Sequence, residues 1–119
     1  MSSARARRLT HTDLDKVSLQ AALEALADPV RRSIVRQLAA SPDWARACGM
    51  FDLGVTKATI SHHFSVLRNA GLIEQRDEGQ RRLNRLRSEE FERRFPGLLR
   101  LVVEDNRTGK PTSGDEPGE

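Results

Sequence analysis

The sequence predicts a mostly α-helical fold with a small β wing, a two-stranded hairpin that follows the third helix. Apolar residues recur at i, i+4 and i+7 in several segments, the spacing that gives a helix one buried face. Residues typical of helix starts and stops, such as Asp28-Pro29 and Gly71, border those segments. Two short runs flank residues 77–80, where Gly79 can adopt the positive φ of a tight hairpin turn.

The first two helices are predicted from their apolar stripes and their caps. The first starts from about Asp15, with its stripe at Leu19, Leu23 and Leu26. The second starts at Asp28 as N-cap with Pro29 in its first turn, a combination typical of helix starts. Its buried stripe consists of Val30, Ile34 and Leu38, and Ser41-Pro42 ends it.

Three further regions complete the predicted fold. Residues 43–53 show no clean period, and we expect core anchors of a short helix or turn there: Trp44, Met50, Phe51 and Leu53. The wing strands are predicted over 72–76 and 81–86. Ser88 is expected to cap a last helical region, which Pro96 should kink or divide. The buried face of that region comprises Phe91, Phe95, Leu98 and Val102.

The segment 55–73 is the most informative part of the chain. Thr56 is a good N-cap, and Gly71 lies where a left-handed residue ends a helix. One face is apolar, with Ile60, Phe64 and Leu67 at i, i+4 and i+7. The opposite face has no carboxylate and consists of small or basic residues: Lys57, Thr59, Ser61, His62, Ser65 and Arg68. A helix with such a polar, acid-free outer face fits the major groove of DNA.

This segment resembles the helix-turn-helix of the ArsR family of bacterial winged-helix repressors. Two flanking segments, 26–32 (Leu-Ala-Asp-Pro-Val-Arg-Arg) and 78–84 (Glu-Gly-Gln-Arg-Arg-Leu-Asn), resemble the family's first helix junction and its wing turn. The resemblance extends over residues 19–86. It implies a winged helix-turn-helix that dimerises through its N- and C-terminal helices. It also implies that the matching positions of the third helix contact DNA.

The predicted DNA contacts lie on the third helix and on the wing. Hydroxyl and imidazole groups in the first two helical turns can bond base edges, whereas Lys57 and Arg68 are better suited to phosphates. Arg81 and Arg82 are placed for the sugar-phosphate backbone or an adjacent minor groove. The predicted DNA-binding set is Thr56, Lys57, Thr59, Ser61, His62, Arg68, Arg81 and Arg82.

Charge is distributed unevenly and agrees with that assignment. The chain has 119 residues and a net charge of +3. Residues 54–87 contain seven Lys or Arg residues against three acidic ones. We expect residues 1–14 to form a flexible basic arm, 15–103 the DNA-binding and dimerisation domain, and 104–119 a disordered acidic tail. With no long apolar run and one cysteine, we expect a cytoplasmic protein that does not enter membranes.

Metal, cofactor and enzyme functions are not predicted. Adjacent residues on a helix point about 100° apart, so His62 and His63 cannot chelate one ion, and His63 borders the buried stripe. Cys48 has no partner thiol, unlike the cysteine pair of the family's metal sensors. No phosphate loop, nucleophile elbow or catalytic cluster is present.

The sequence therefore predicts a sequence-specific regulator of transcription that binds double-stranded DNA. A homodimer would bind a pseudo-palindromic operator and act as a repressor by excluding polymerase. Two alternatives stay open. A winged helix can serve as a protein-interaction module, which requires an exposed apolar patch on its third helix. Cys48 can make the repressor redox-responsive.

Overall fold

The structure, a computed structural model, describes residues 11–41, 44–46 and 56–105 and the backbone of Arg7 and Arg8. The predicted helices and the wing hairpin occur in the expected order, with a 3-10 turn (Leu14–Lys16) ahead of the first helix and two short strands that the sequence did not predict. The helices are α1 (Leu19–Leu26), α2 (Pro29–Ala39), α3 (Lys57–Asn69), α4 (Ser88–Arg94) and α5 (Leu98–Glu104). The strands are β1 (Arg7–Arg8), β2 (Ala45–Arg46), β3 (Ile73–Glu78) and β4 (Arg81–Leu86).

Side-chain caps start the first two helices. Ser18 accepts a hydrogen bond from the backbone N–H of Ala21 at 3.0 Å and so begins α1. Asp28 accepts from the backbone N–H groups of Val30, at 2.7 Å, and Arg31, at 3.2 Å. With Pro29 in the first turn of α2, this start confirms the prediction from Asp28-Pro29.

The hydrophobic core lies where α1, α2, α3 and the C-terminal helices meet the inner face of the sheet. Helix α2 buries Ile34, Val35 and Leu38, close to its predicted stripe. Helix α1 buries Leu26 of its predicted apolar stripe, together with two small alanines. Leu19 and Leu23 are 54% and 45% exposed, so α1 presents its large apolar residues to the outside.

The predicted wing is the centre of a four-stranded antiparallel sheet with the order β1-β3-β4-β2. The hairpin between β3 and β4 is confirmed, with Gly79 at φ 65° in the two-residue turn. A two-residue strand is added at each edge, which the sequence did not predict. The helix or turn expected after Trp44 is wrong over its described part, because Ala45 and Arg46 pair with β4 as a strand.

The C-terminal region forms two short helices, as the position of Pro96 in the sequence predicts. Gly97, at φ 86°, makes the bend between α4 and α5, which a residue with a Cβ would adopt only with strain. Ser88 is not the cap of α4: it is the first helical residue, and Arg87 occupies the cap position without a side-chain cap. The guanidinium of Arg87 instead donates to the Thr12 carbonyl at 2.9 Å.

The folded domain begins before residue 15, the predicted boundary. Leu14 belongs to the core, with 7% of its surface exposed. Arg94 donates to the carbonyls of Leu14, at 3.0 Å, and Val17, at 2.7 Å, and so holds this segment to α4. The described residues of the predicted arm are thus part of the domain, and β1 pairs with β3. The predicted acidic tail lies outside the described residues from position 106 onward.

Candidate nucleic-acid interface

Helix α3 has the two faces that the sequence predicts. Ile60, Phe64 and Leu67 are buried, with at most 5% of their surface exposed. Gly71, at φ 79°, ends the helix and turns the chain into β3. The helix is therefore clamped to the core along one side, and its other side is left available for a partner.

The start of α3 is set by Thr56, as predicted. Its Oγ1 accepts a hydrogen bond from the backbone N–H of Thr59 at 3.1 Å. The same hydroxyl donates to Thr59 Oγ1 at 2.9 Å, so both side chains take part in the cap. Thr56 is exposed, but its hydroxyl already makes two local hydrogen bonds.

The N-terminal half of α3 presents short polar and basic groups to the outside. Lys57, Ser61 and His62 are exposed and Thr59 is half-buried. No carboxylate occurs in the helix, so its surface does not repel phosphate. The structure thus brings together four of the predicted DNA-binding residues on one accessible face.

Arg68, at the other end of α3, has a different environment. It is half-buried, and its Nη1 donates to Gln75 Oε1 on β3 at 2.8 Å. A cleft of about 250 Å³ separates the exposed face of α3 from the hairpin. Its lining comprises Ile60, Ser61, Phe64, Ser65, Gln75, Arg82 and Asn84.

The predicted wing arginines are exposed and paired with carboxylates of the facing strand. Arg82 donates to both carboxylate oxygens of Asp77, at 2.8 and 3.2 Å, and this hydrogen bonding raises the pKa of Arg82. Arg81 lies 3.2 Å from Glu78. The hairpin register places each of these acids opposite its arginine, so the two pairs could have been predicted from the sequence. Each of the two guanidiniums therefore already has a carboxylate partner within the hairpin.

Trp44 has surroundings that the sequence did not predict. The guanidiniums of Arg76 and Arg85 both lie 4.5 Å from the centre of its ring. Arg85 also donates to the buried Glu74 across the hairpin. Trp44 is half-buried, so it is a cation–π centre at the sheet edge and not a core anchor.

His63 is the buried histidine that the sequence predicts. Its Nδ1 lies 3.1 Å from Arg31 Nη1, and because a guanidinium only donates, Nδ1 accepts and the ring proton lies on Nε2. Burial lowers the pKa of His63, Asp28 opposes this shift and Arg31 adds to it. His63 therefore joins α3 to the start of α2 as a neutral side chain.

Within the described ranges, no group of three or more His, Cys, Asp or Glu side chains is arranged to hold a metal ion. The rings of His62 and His63 are 5.9 Å apart and inclined at 50°. Cys48, on which the redox alternative depends, lies outside the described residues, as do Met50, Phe51 and Leu53.

Comparison with known proteins identifies the family. Residues 28–75, from the start of α2 to the middle of β3, match the profile described as bacterial regulatory protein, arsR family. The chain is 35% identical over 81 residues to the uncharacterized HTH-type transcriptional regulator YceK of Bacillus subtilis, covering 66% of this chain and 80% of that protein. The chain belongs to the ArsR family.

A second relative of this ArsR-family chain is the HTH-type transcriptional regulator Rv2034 of Mycobacterium tuberculosis. The two are 41% identical over 69 residues, which cover 55% of this chain and 60% of the relative. The family and the fold confirm the predicted helix-turn-helix, DNA-binding regulator of transcription with its β wing. Among the described helices of this ArsR-family protein, none has the length and apolar character of a membrane span.

Proposed function

We propose that the protein is a homodimeric transcriptional repressor that binds a pseudo-palindromic site in double-stranded DNA. The exposed, acid-free N-terminal half of α3 is the observation that supports this function most directly. It lies across a cleft from Arg82 of the wing, so base-reading groups and a phosphate-binding cation face the same side. The site of action is the cytoplasm, where bacterial DNA lies.

We assign the recognition residues two roles. Thr59, Ser61 and His62 contact base edges, because hydroxyl and imidazole groups both donate and accept hydrogen bonds. Lys57 and the wing arginines Arg81 and Arg82 bind phosphates, which supplies affinity with little sequence preference. Thr56 contributes through the cap that fixes the start of the helix.

The dimer is assigned to α1 and α5, the N- and C-terminal helices. Both pack against α2. Their exposed large apolar residues are Leu19, Leu23 and Leu101, the last with 69% of its surface exposed. Covering these side chains in a two-fold interface would favour association, and the two copies of α3 would then lie one DNA turn, about 34 Å, apart. A dimer bound across a promoter would exclude polymerase.

The proposal includes no metal, cofactor or catalytic step. The chain has one cysteine, so one protomer cannot form the cysteine pair of the family's metal sensors. The protein-interaction alternative requires an apolar outer face on α3. Apart from the small Ala58, the exposed residues of that helix are instead polar or basic.

Selection of bound duplexes from random-sequence DNA tests this function. We expect an enriched inverted repeat and an affinity that falls steeply with salt, by roughly 0.9 log units per neutralised phosphate per tenfold rise. Lys57→Ala should weaken binding to every sequence, whereas His62→Ala should alter the selected bases. Arg93→Ala removes the same charge from the exposed side of α4 and serves as the control. Failure to enrich any sequence, with binding insensitive to salt, would contradict the proposal.

A further inference from the structure

A chain of hydrogen bonds joins α3 to the far edge of the sheet. Arg68 Nη1 donates to Gln75 Oε1 at 2.8 Å, and Gln75 Nε2 donates to Asn84 Oδ1 at 2.7 Å. Asn84 Nδ2 donates to the carbonyl oxygen of Ala45 in β2 at 3.3 Å. Gln75 and Asn84 are 3% and 0% exposed. These hydrogen bonds thus run through the interior of the wing, from the recognition helix to β3, β4 and β2.

Arg68 determines the direction of this chain. A guanidinium has donors and no acceptor, so it bonds only the oxygen of the Gln75 amide. The Gln75 nitrogen then points to Asn84, which must accept with its oxygen and donate with its nitrogen to the Ala45 carbonyl. Without Arg68 the orientation of the Gln75 amide loses this constraint, and a buried oxygen loses its donor.

These hydrogen bonds tie the C-terminal end of the recognition helix to the sheet. The sheet's central hairpin is the wing, so the three side chains of Arg68, Gln75 and Asn84 connect α3 directly to the wing.

We propose that Arg68 is a positioning residue that sets the angle between the recognition helix and the wing. This inference rests on the proposed function, since the angle decides whether helix and wing engage the same DNA duplex. It replaces the phosphate contact that the sequence alone predicts for Arg68. The buried partner on β3 and the amide relay beyond it favour positioning, because a phosphate ligand needs neither.

The first experiment tests the relay in the absence of DNA. In ¹⁵N-labelled protein, the side-chain amide protons of Gln75 and Asn84 should exchange slowly with water. Arg68→Met should shift both pairs of signals and speed the exchange, while Lys57→Met, an equivalent change on the exposed face, should leave them in place. Asn84 signals that do not respond to Arg68→Met would overturn the relay.

The second experiment uses a labelled duplex that the unaltered protein selects from random DNA. Arg68→Met and Gln75→Leu should each weaken binding by roughly tenfold, and the double variant should bind no worse than either. Gln75→Leu retains the charge of Arg68, so the salt dependence of its binding should be unchanged. A loss confined to Arg68→Met, with a salt slope reduced by about 0.9 per lost phosphate, would instead show a phosphate ligand.

Hydroxyl-radical footprints at saturating protein separate positioning from a general loss of stability. In Gln75→Leu, protection by the wing at the flanks should weaken while protection by α3 at the centre remains. Uniform weakening of both would overturn the positioning role. If the unaltered protein selects no duplex, the proposed function fails, and the positioning role of Arg68 in DNA binding fails with it. The amide signals would still show whether the relay exists.

Discussion

Gly71→Ala tests how the recognition helix is joined to the wing. Gly71 has φ 79°, and placing a residue with a Cβ in this region costs about 1–2 kcal/mol. A Cβ there would also lie 2.8 Å from Leu14 Cγ and closer still to Leu14 Cδ2. Because Leu14 is buried and Arg94 holds its carbonyl, relieving this overlap should cost about a further 1–3 kcal/mol. We expect a total loss of roughly 2–5 kcal/mol in the free energy of unfolding.

Gly79→Ala is the matched control for the overlap. Gly79 has a similar φ, 65°, but nothing lies within 4 Å of the position that its Cβ would occupy. Gly79→Ala should therefore lose only the part of the unfolding free energy that comes from the positive φ, about 1–2 kcal/mol. Adding Leu14→Ala removes the overlapping atoms, so Gly71→Ala made in that background should cost no more than Gly79→Ala.

Urea denaturation followed by far-UV circular dichroism measures these differences, with the slope of the transition checked for constancy. Equal losses for the two glycine variants would refute the reasoning, since the control would then account for the whole effect. Strict additivity of Gly71→Ala and Leu14→Ala would refute it as well. Either result would mean that Leu14 moves aside without cost.

Three further outcomes are expected. Leu23→Lys should convert the proposed dimer to a monomer in sedimentation velocity without changing the helix content, because this side chain is 45% exposed. A dimer that persists in this variant would contradict the proposed interface. Asp77→Asn should raise DNA affinity about threefold by releasing Arg82 and removing a charge that repels phosphate; fluorescence anisotropy showing weaker binding would mean that the ion pair positions the arginine. The pKa of His63 is lowered in the fold, so the unfolded chain binds the proton first and stability is lost as the pH falls below about 6.5. Urea titrations at a series of pH values measure this effect. On acidification, His63→Gln should lose less unfolding free energy than the unaltered protein. His62→Gln, the exposed control, should lose as much as the unaltered protein does.

The fold was predictable where one local signal decides the structure. Asp28-Pro29, Thr56, Gly71 and Gly79 each fix a cap or a turn through a property of the residue itself. Helix α1 shows the limit of periodicity. Its leucine stripe was visible, but an apolar stripe does not tell whether the domain or a partner covers it, and the alanines face the core.

The parts that were missed depend on contacts between distant segments. A two-residue strand such as β2 has no period to detect, and it forms because β4 offers an edge for pairing. The position of Trp44 follows from that pairing. The link from Arg68 to Asn84 requires knowledge of how α3 lies on the hairpin. The exposed polar residues of α3 were predictable, because a helix with one apolar face must turn the other outward.

The stacking of Trp44 gives this protein a natural optical reporter. The chain has one tryptophan and no tyrosine, so its long-wavelength ultraviolet emission arises from a single indole. That indole contacts guanidiniums from both hairpin strands, one on β3 and one on β4. Binding of another anion by Arg76 or Arg85 alters the electric field at the ring and therefore shifts the wavelength of the emission maximum. Occupancy of the wing can therefore be followed in the unlabelled protein.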